Sequence, residues 1–129
     1  MELPLQVGDI ISFERTFTIE DVELFTNVSR DEGDHHLTPD EQGRLVVQGL
    51  LTATLPTKVG GDHNVLASKM NFEFLRPVFT EDTIICDVEI EQYEKQENNR
   101  IAITASFSCK NQENKVVLTG GFAGVILTS

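Results

Sequence analysis

Asp31 and His36 are the side chains in this sequence best placed to move a proton, five positions apart in the polar stretch SRDEGDHH, residues 29–36. A carboxylate and an imidazole that share one water can activate it, and imidazole both takes and returns a proton near neutrality. Only a tight loop is needed to bring the two together. The plainer reading is a solvated loop, because Asp and His are common in loops. Glu32, Asp34 and His35 crowd the same stretch and invite a metal reading. Neither the spacing of a calcium loop nor two histidines one helical turn apart is present, so no metal is expected. No glycine-rich phosphate loop follows a strand, and no cofactor is expected either.

The elements that must hold this stretch can be read on both sides of it. Residues 10–17 begin with an apolar alternation that predicts a strand. Thr18 stands as a helix N-cap with Asp21 three positions on, close to a capping box. Ile19, Val22, Phe25 and Val28 recur every three residues with Leu24 beside them, so an amphipathic helix ending near Ser29 or Arg30 is expected. Asp31 then falls just past a helix C-terminus. Residues 31–44, with Gly33, Pro39 and Gly43, read as a loop with room for one short turn after Thr38.

From Leu45 the run LVVQGLLTATLPTKVGG is apolar on all sides. It predicts a buried helix over residues 45–58, bent or ended near Pro56. The remainder alternates with period two, through Met70, Phe72 and Phe74, then Ile84, Cys86, Val88 and Ile90, then Ile101, Ile103, Ala105, Phe107 and Cys109. A last strand carries Gly120 and Gly121, which predict a bulge or bend. QENN and NQEN read as Asn-rich hairpin turns. The fold class is therefore α+β, a curved antiparallel sheet over residues 64–127 wrapped around one buried helix.

At 129 residues the chain reads as a single domain, residues 1–129, long enough to bury a sizeable core. A formal charge of −11 argues against a general nucleic-acid footprint. A phosphate-bearing ligand must instead find a local cation such as Arg44, Lys58, Lys69 or Arg76. No run of about 18 apolar residues is present, so no membrane span is expected. The acidic start MELPLQVGD lacks the basic and apolar regions of a signal peptide, and a cytoplasmic address is expected. Cys86 and Cys109 lack CxxC spacing and sit in alternating apolar runs, as reduced core thiols do.

The segment SRDEGDHH resembles the Ser-x-Asp-x-Asn-Pro-x-His signature of the MaoC-like (R)-specific enoyl-CoA hydratases, with Ser29, Asp31 and His36 at the fixed positions. VQGLLTATL resembles the family's Val-His-Gly start of a central helix, through Val47, Gly49 and Leu50. NFEFLRPVFTEDTI resembles a stretch ending in Phe-x-x-Pro-Val and an acidic turn, through Phe74, Arg76, Pro77, Val78, Asp82 and Thr83. TGGFAGVIL matches the last strand more weakly. The likeness covers nearly the whole chain in order. The departures are Gly33-Asp34 for Asn-Pro, Gln48 for His, Glu81 for Gly, and a shorter stretch between His36 and Gly49. That shorter stretch is expected to trim a helix that overhangs the pocket.

The resemblance implies the hotdog fold, a long sheet wrapped around a central helix. It implies Asp31 and His36 as catalytic residues and the Gly49 N–H as the oxyanion donor. Ser29, Gln48 and Thr57 are then substrate-binding or supporting residues. The implied reaction is addition or removal of water across a trans-2-enoyl thioester carried by CoA or an acyl carrier protein, with no redox cofactor. A homodimer or larger homo-oligomer, joined sheet edge to sheet edge, is implied as well. Two other classes stay open: a hotdog acyl-CoA thioesterase, and a non-catalytic acyl-thioester binding module.

Overall fold

The computed structural model describes residues 5–128; Met1–Pro4, where the expectation about a leader segment in part falls, and Ser129 lie outside the described residues. In chain order the elements are β1 (Ile10–Thr16), α1 (Ile19–Ser29), α2 (Asp34–Leu37), α3 (Gly49–Thr52), α4 (Thr54–Asp62), β2 (Val65–Phe74), β3 (Thr83–Gln96), β4 (Arg100–Lys110) and β5 (Val116–Leu127). The five strands form one antiparallel sheet in the order β1-β3-β4-β5-β2. Among the described residues no helix is long and apolar enough to cross a membrane.

Alternation decides which sheet face is covered. Ile84, Cys86, Val88 and Ile90 of β3 and Ile101, Ile103, Ala105, Phe107 and Cys109 of β4 are all buried. Asp87, Glu89 and Glu91 point the other way and are exposed. Leu51, Leu55 and Val59 of α3 and α4 join the same core cluster. Each such aliphatic side chain contributes about 1.5–3 kcal/mol when fully buried. Cys86 lies directly opposite Cys109 in the β3–β4 register, and both thiols are free and buried. A hydrogen bond to Cys109, together with burial, pushes the Cys86 thiol well above its usual pKa. Such a thiol is unreactive, in keeping with a packing role.

The turns follow their asparagines. Asn98 and Asn99 adopt positive φ in the β3–β4 turn, and Asn114 does so between β4 and β5. The Asn111 side chain accepts from the Glu113 and Lys115 N–H groups and tightens the second turn.

Helix α1 begins on the expected capping box, with Thr18 and Asp21 each accepting from the other's backbone N–H. Burial works against the Asp21 carboxylate, but the Thr18 N–H and the Arg15 guanidinium outweigh it and hold its pKa below the usual value. The stabilisation from this cap is therefore complete above the ordinary carboxylate range and is lost as pH falls through the lowered value. The helix ends at Arg30, whose left-handed backbone turns the chain outward. Its apolar face is less covered than the three-residue spacing implies. Val22 is fully buried, whereas Val28 is 82% exposed.

Three sequence expectations need correction. The apolar run does not form one helix over residues 45–58. Leu45, Val46 and Val47 are extended, and helix begins only at Gly49. All-round apolarity signals burial, which an extended segment satisfies as well as a helix. The interruption falls at Ala53 rather than at Pro56, which sits in the first turn of α4 where a missing N–H costs nothing. Gly120 and Gly121 make no bulge, since their register with β2 and β4 is continuous. They permit close approach instead: a Cβ on Gly120 would lie 2.0 Å from the Asn71 carbonyl oxygen.

Candidate active site

Ser29 closes α1 and sets up the acid. Its Oγ accepts from the Asp31 N–H at 3.0 Å, and the Gly33 N–H reaches Asp31 Oδ1 at 3.5 Å. Asp31 Oδ2 is left facing His36 Nε2 at 3.4 Å. His36 sits on the one-turn helix α2, which Gly33 caps and whose backbone closes through His36 N–H to Gly33 O at 2.8 Å. A Cβ on Gly33 would meet the His35 ring at 2.9 Å, so glycine at that position lets the His35 ring pack down beside His36.

His36 is only 6% exposed, whereas the Asp31 side chain is half exposed. The other ring nitrogen, Nδ1, lies 2.6 Å from the Val46 carbonyl oxygen. A carbonyl only accepts, so Nδ1 carries a hydrogen, and in the neutral ring Nε2 presents its lone pair toward Asp31. A separation of 3.4 Å is longer than a charge-assisted hydrogen bond, and one water can touch both acceptors. Among the described residues no three His, Cys, Asp or Glu side chains converge as a metal site requires.

The extended segment 45–47 ties this loop to the body. Val46 N–H donates to the His35 carbonyl, Val47 N–H to Val78, and Thr80 N–H to Leu45, at 2.7–2.9 Å. Val46 forms an isolated bridge with Phe79. The segment delivers Gly49 as the first residue of α3, where its N–H has no intrahelical acceptor. No acceptor for that N–H is found among the described residues. Between α2 and this segment the chain forms no helix. It is knotted around Asp40, which accepts from the Gln42 and Arg44 N–H groups and from the Arg44 guanidinium. The Arg44 N–H bond in particular holds the Asp40 carboxyl below its usual pKa.

Asp31, His36, Gly49, Thr52, Phe74 and Arg76 are among the residues that line one cavity of about 520 Å³. Arg76 is exposed and donates to the Val116 carbonyl at 2.6 Å. Arg44 and Lys58 are instead engaged by Asp40 and Asp62, and Lys69 lies beside a different hollow. The dyad, Ser29 and Gly49 are thus brought together. Gln48 and Thr57 are not. The Gln48 amide is turned toward α1, donating to Thr26 Oγ at 2.8 Å and to the Val22 carbonyl at 3.4 Å. Thr57 donates to the Ala53 carbonyl and lines a separate hollow of about 150 Å³.

No family model matches the sequence. The mitochondrial 3-hydroxyacyl-[acyl-carrier-protein] dehydratase of Arabidopsis thaliana is 25% identical over 130 residues, covering 95% of this chain and 78% of the relative. Among solved structures, the (R)-hydratase from A. caviae involved in PHA biosynthesis matches with a TM-score of 0.82 at 23% identity, over 96% of this chain and 98% of that one. The R-hydratase PhaJ1 from Pseudomonas aeruginosa matches with a TM-score of 0.81 at 22% identity, over 97% and 83% of the two chains. The chain has the hotdog fold.

Within the hotdog frame the departures from the family pattern acquire locations. Gly33-Asp34 still forms a turn that buries His36. Gln48 precedes the central helix but braces α1 rather than the cavity. Glu81 takes the strained backbone that glycine would take freely, with φ of 74°, and its N–H donates to the Phe17 carbonyl. Sequence reasoning did not single out Thr52, which lines the same cavity. The available signal was its place one helical turn after Gly49, on the same face of the hotdog helix.

Proposed function

We propose that this hotdog protein is an (R)-specific hydratase/dehydratase acting on enoyl and 3-hydroxyacyl thioesters. One observation carries the reading: the Asp31–His36 pair and the unpartnered Gly49 N–H open onto the same cavity. Hydration needs a water delivered to Cβ, a proton delivered to Cα, and a donor for the thioester oxygen, where negative charge accumulates. His36 Nε2 takes one proton of the shared water while Asp31 Oδ2 accepts its other O–H. The water oxygen bonds to Cβ, the π electrons move toward the thioester, and its oxygen is held by Gly49 N–H. The proton returns from the pair to Cα, completing a 3-hydroxyacyl thioester. Dehydration runs the same steps backward. A cytoplasmic, single-domain protein belongs to the same reading.

The deciding assay uses crotonyl-CoA, followed by enoyl absorbance beside a free-thiol measurement, with the product resolved by chiral chromatography. Loss of absorbance with formation of the (R)-alcohol and no thiol is the expected result. Thiol release would make the protein a thioesterase. Binding with neither change would make it an acyl-thioester binding module.

CoA suits the surface better than an acyl carrier protein, because a chain of charge −11 repels an acidic carrier. Arg76 at the cavity is the cation available for its phosphates. Arg76→Ala is expected to raise KM for crotonyl-CoA roughly tenfold, the worth of about 1.4 kcal/mol, with kcat little changed. The difference should shrink as salt rises. An unaltered KM would remove Arg76 from carrier binding.

A homodimer is part of the proposal. Strand β2 is a ten-residue open edge bearing exposed Leu66, Met70 and Phe74, a surface that a lone chain leaves prone to aggregation. Pairing two β2 edges about a two-fold axis covers it. Light scattering is expected to give a mass twice that of one chain or a higher even multiple, and a monomer at micromolar concentration would refute this.

A further inference from the structure

Thr52 is 2% exposed, lines the cavity that holds His36 and Gly49, and its hydroxyl has no hydrogen-bond partner among the described residues. Three other helical threonines behave differently. Thr26 Oγ donates to the Val22 carbonyl at 2.8 Å, Thr54 to Leu51 at 2.5 Å, and Thr57 to Ala53 at 3.0 Å. That bond to the preceding turn is the ordinary refuge of a threonine in a helix. Thr52 does not take it. A buried hydroxyl left unpaired weakens the empty protein, so valine would serve this position better on stability alone.

Helical side chains tilt toward the N-terminus, and residues three apart share a face. The Thr52 side chain therefore lies over the turn that opens at Gly49, and both residues border the same ligand-sized space. A hydroxyl hydrogen also rotates, so it can follow an oxygen whose charge and geometry change during reaction.

We propose that Thr52 is a substrate-contacting residue whose hydroxyl donates to the same thioester oxygen as the Gly49 N–H. This deepens the hydratase reading and rests on it. Thr52 then finds in the bound acyl thioester the partner that the protein does not give it.

Thr52→Val and Thr52→Ser, assayed on crotonyl-CoA, test the assignment. Thr52→Val is expected to lower kcat roughly 10–100-fold, below the full worth of one oxyanion donor because the Gly49 N–H remains. KM should change less, the melting temperature should hold or rise, and Thr52→Ser should recover most of the rate. A purely structural threonine would instead lose melting temperature and keep its kcat. Wild-type kcat and KM in Thr52→Val would overturn the assignment. Should that variant fail to fold, Thr52→Ala against Thr52→Ser carries the same contrast, and equal kcat in the two overturns it. Wild-type protein that hydrates nothing would defeat the hydratase reading separately. Thr52 would then be judged by crotonyl-CoA binding, where equal Kd for wild type and Thr52→Val overturns the contact and weaker binding by the variant upholds it.

Discussion

Asp31→Asn is expected to slow hydration of crotonyl-CoA by roughly 10²–10⁴-fold, the usual worth of a positioned acid/base group. The fold should be unchanged, because the carboxyl is half exposed and an amide oxygen can still accept from the Gly33 N–H. Asparagine lacks the negative charge that orients the shared water and stabilises a protonated His36, yet it fills the same space. His36→Ala should lose at least as much rate, but it is the less clean experiment. The ring is buried, and its removal strips the Val46 carbonyl of a donor, at a cost of about 1–3 kcal/mol if no water replaces it. A polar-loop reading of the sequence places both residues where substitution is harmless to folding. The structure keeps that for Asp31 and withdraws it for His36. Steady-state kinetics with a melting curve on each variant checks both statements, and a folded Asp31→Asn with wild-type kcat would take the pair out of the mechanism.

Gly49→Val is expected to lower kcat by roughly 10²–10³-fold while KM changes far less, since a donor aimed at an oxyanion is worth about 3–4 kcal/mol. The substitution leaves the N–H in place, so its effect is steric. A Cβ at this position would lie 2.7 Å from Phe74 Cε1, closer than such atoms approach. Phe74 is exposed enough to swing aside, and it borders the cavity, so the displaced ring and the valine together occupy the space in front of the N–H. Stability should suffer little, because replacing a helical glycine recovers part of up to about 1 kcal/mol of propensity, less for a β-branched residue. Turnover and melting temperature therefore separate. If Gly49→Val folds and keeps its kcat, this N–H is not the oxyanion donor.

How much of this was legible in the sequence depended on how local each signal is. The Thr18–Asp21 cap involves neighbours within one turn, and it was readable. The strands of β3 and β4 were readable because one face meets the core and the other meets solvent, which writes period two into the chain. The start of the central helix was not, because Leu45, Val46 and Val47 are apolar for a tertiary reason: they are pinned beside Val78 and Thr80, far along the chain. The site divides the same way. Asp31 and His36 are close in sequence and stay close in space. The direction in which Gln48 points is set by α1 packing against it, and the unpaired state of Thr52 is that of a hydroxyl buried without a partner among the described residues. Neither is a property of the residue or of its neighbours.

The strip from Leu45 to Val47 has a consequence for motion. His36 Nδ1 is bonded to Val46, the next residue's N–H is bonded to Val78, and two residues later the chain reaches Gly49. The proposed base and the proposed oxyanion donor are thus both held by one short strip, which is tied to residues 78–80 of the β2–β3 connection. The Asp40 turn, closed on itself through Gln42 and Arg44, lies outside that strip and can move without altering the distance between the two groups. To misalign them, a fluctuation must first break the Val47–Val78 and Thr80–Leu45 backbone bonds together, a rarer event than the flicker of a free loop.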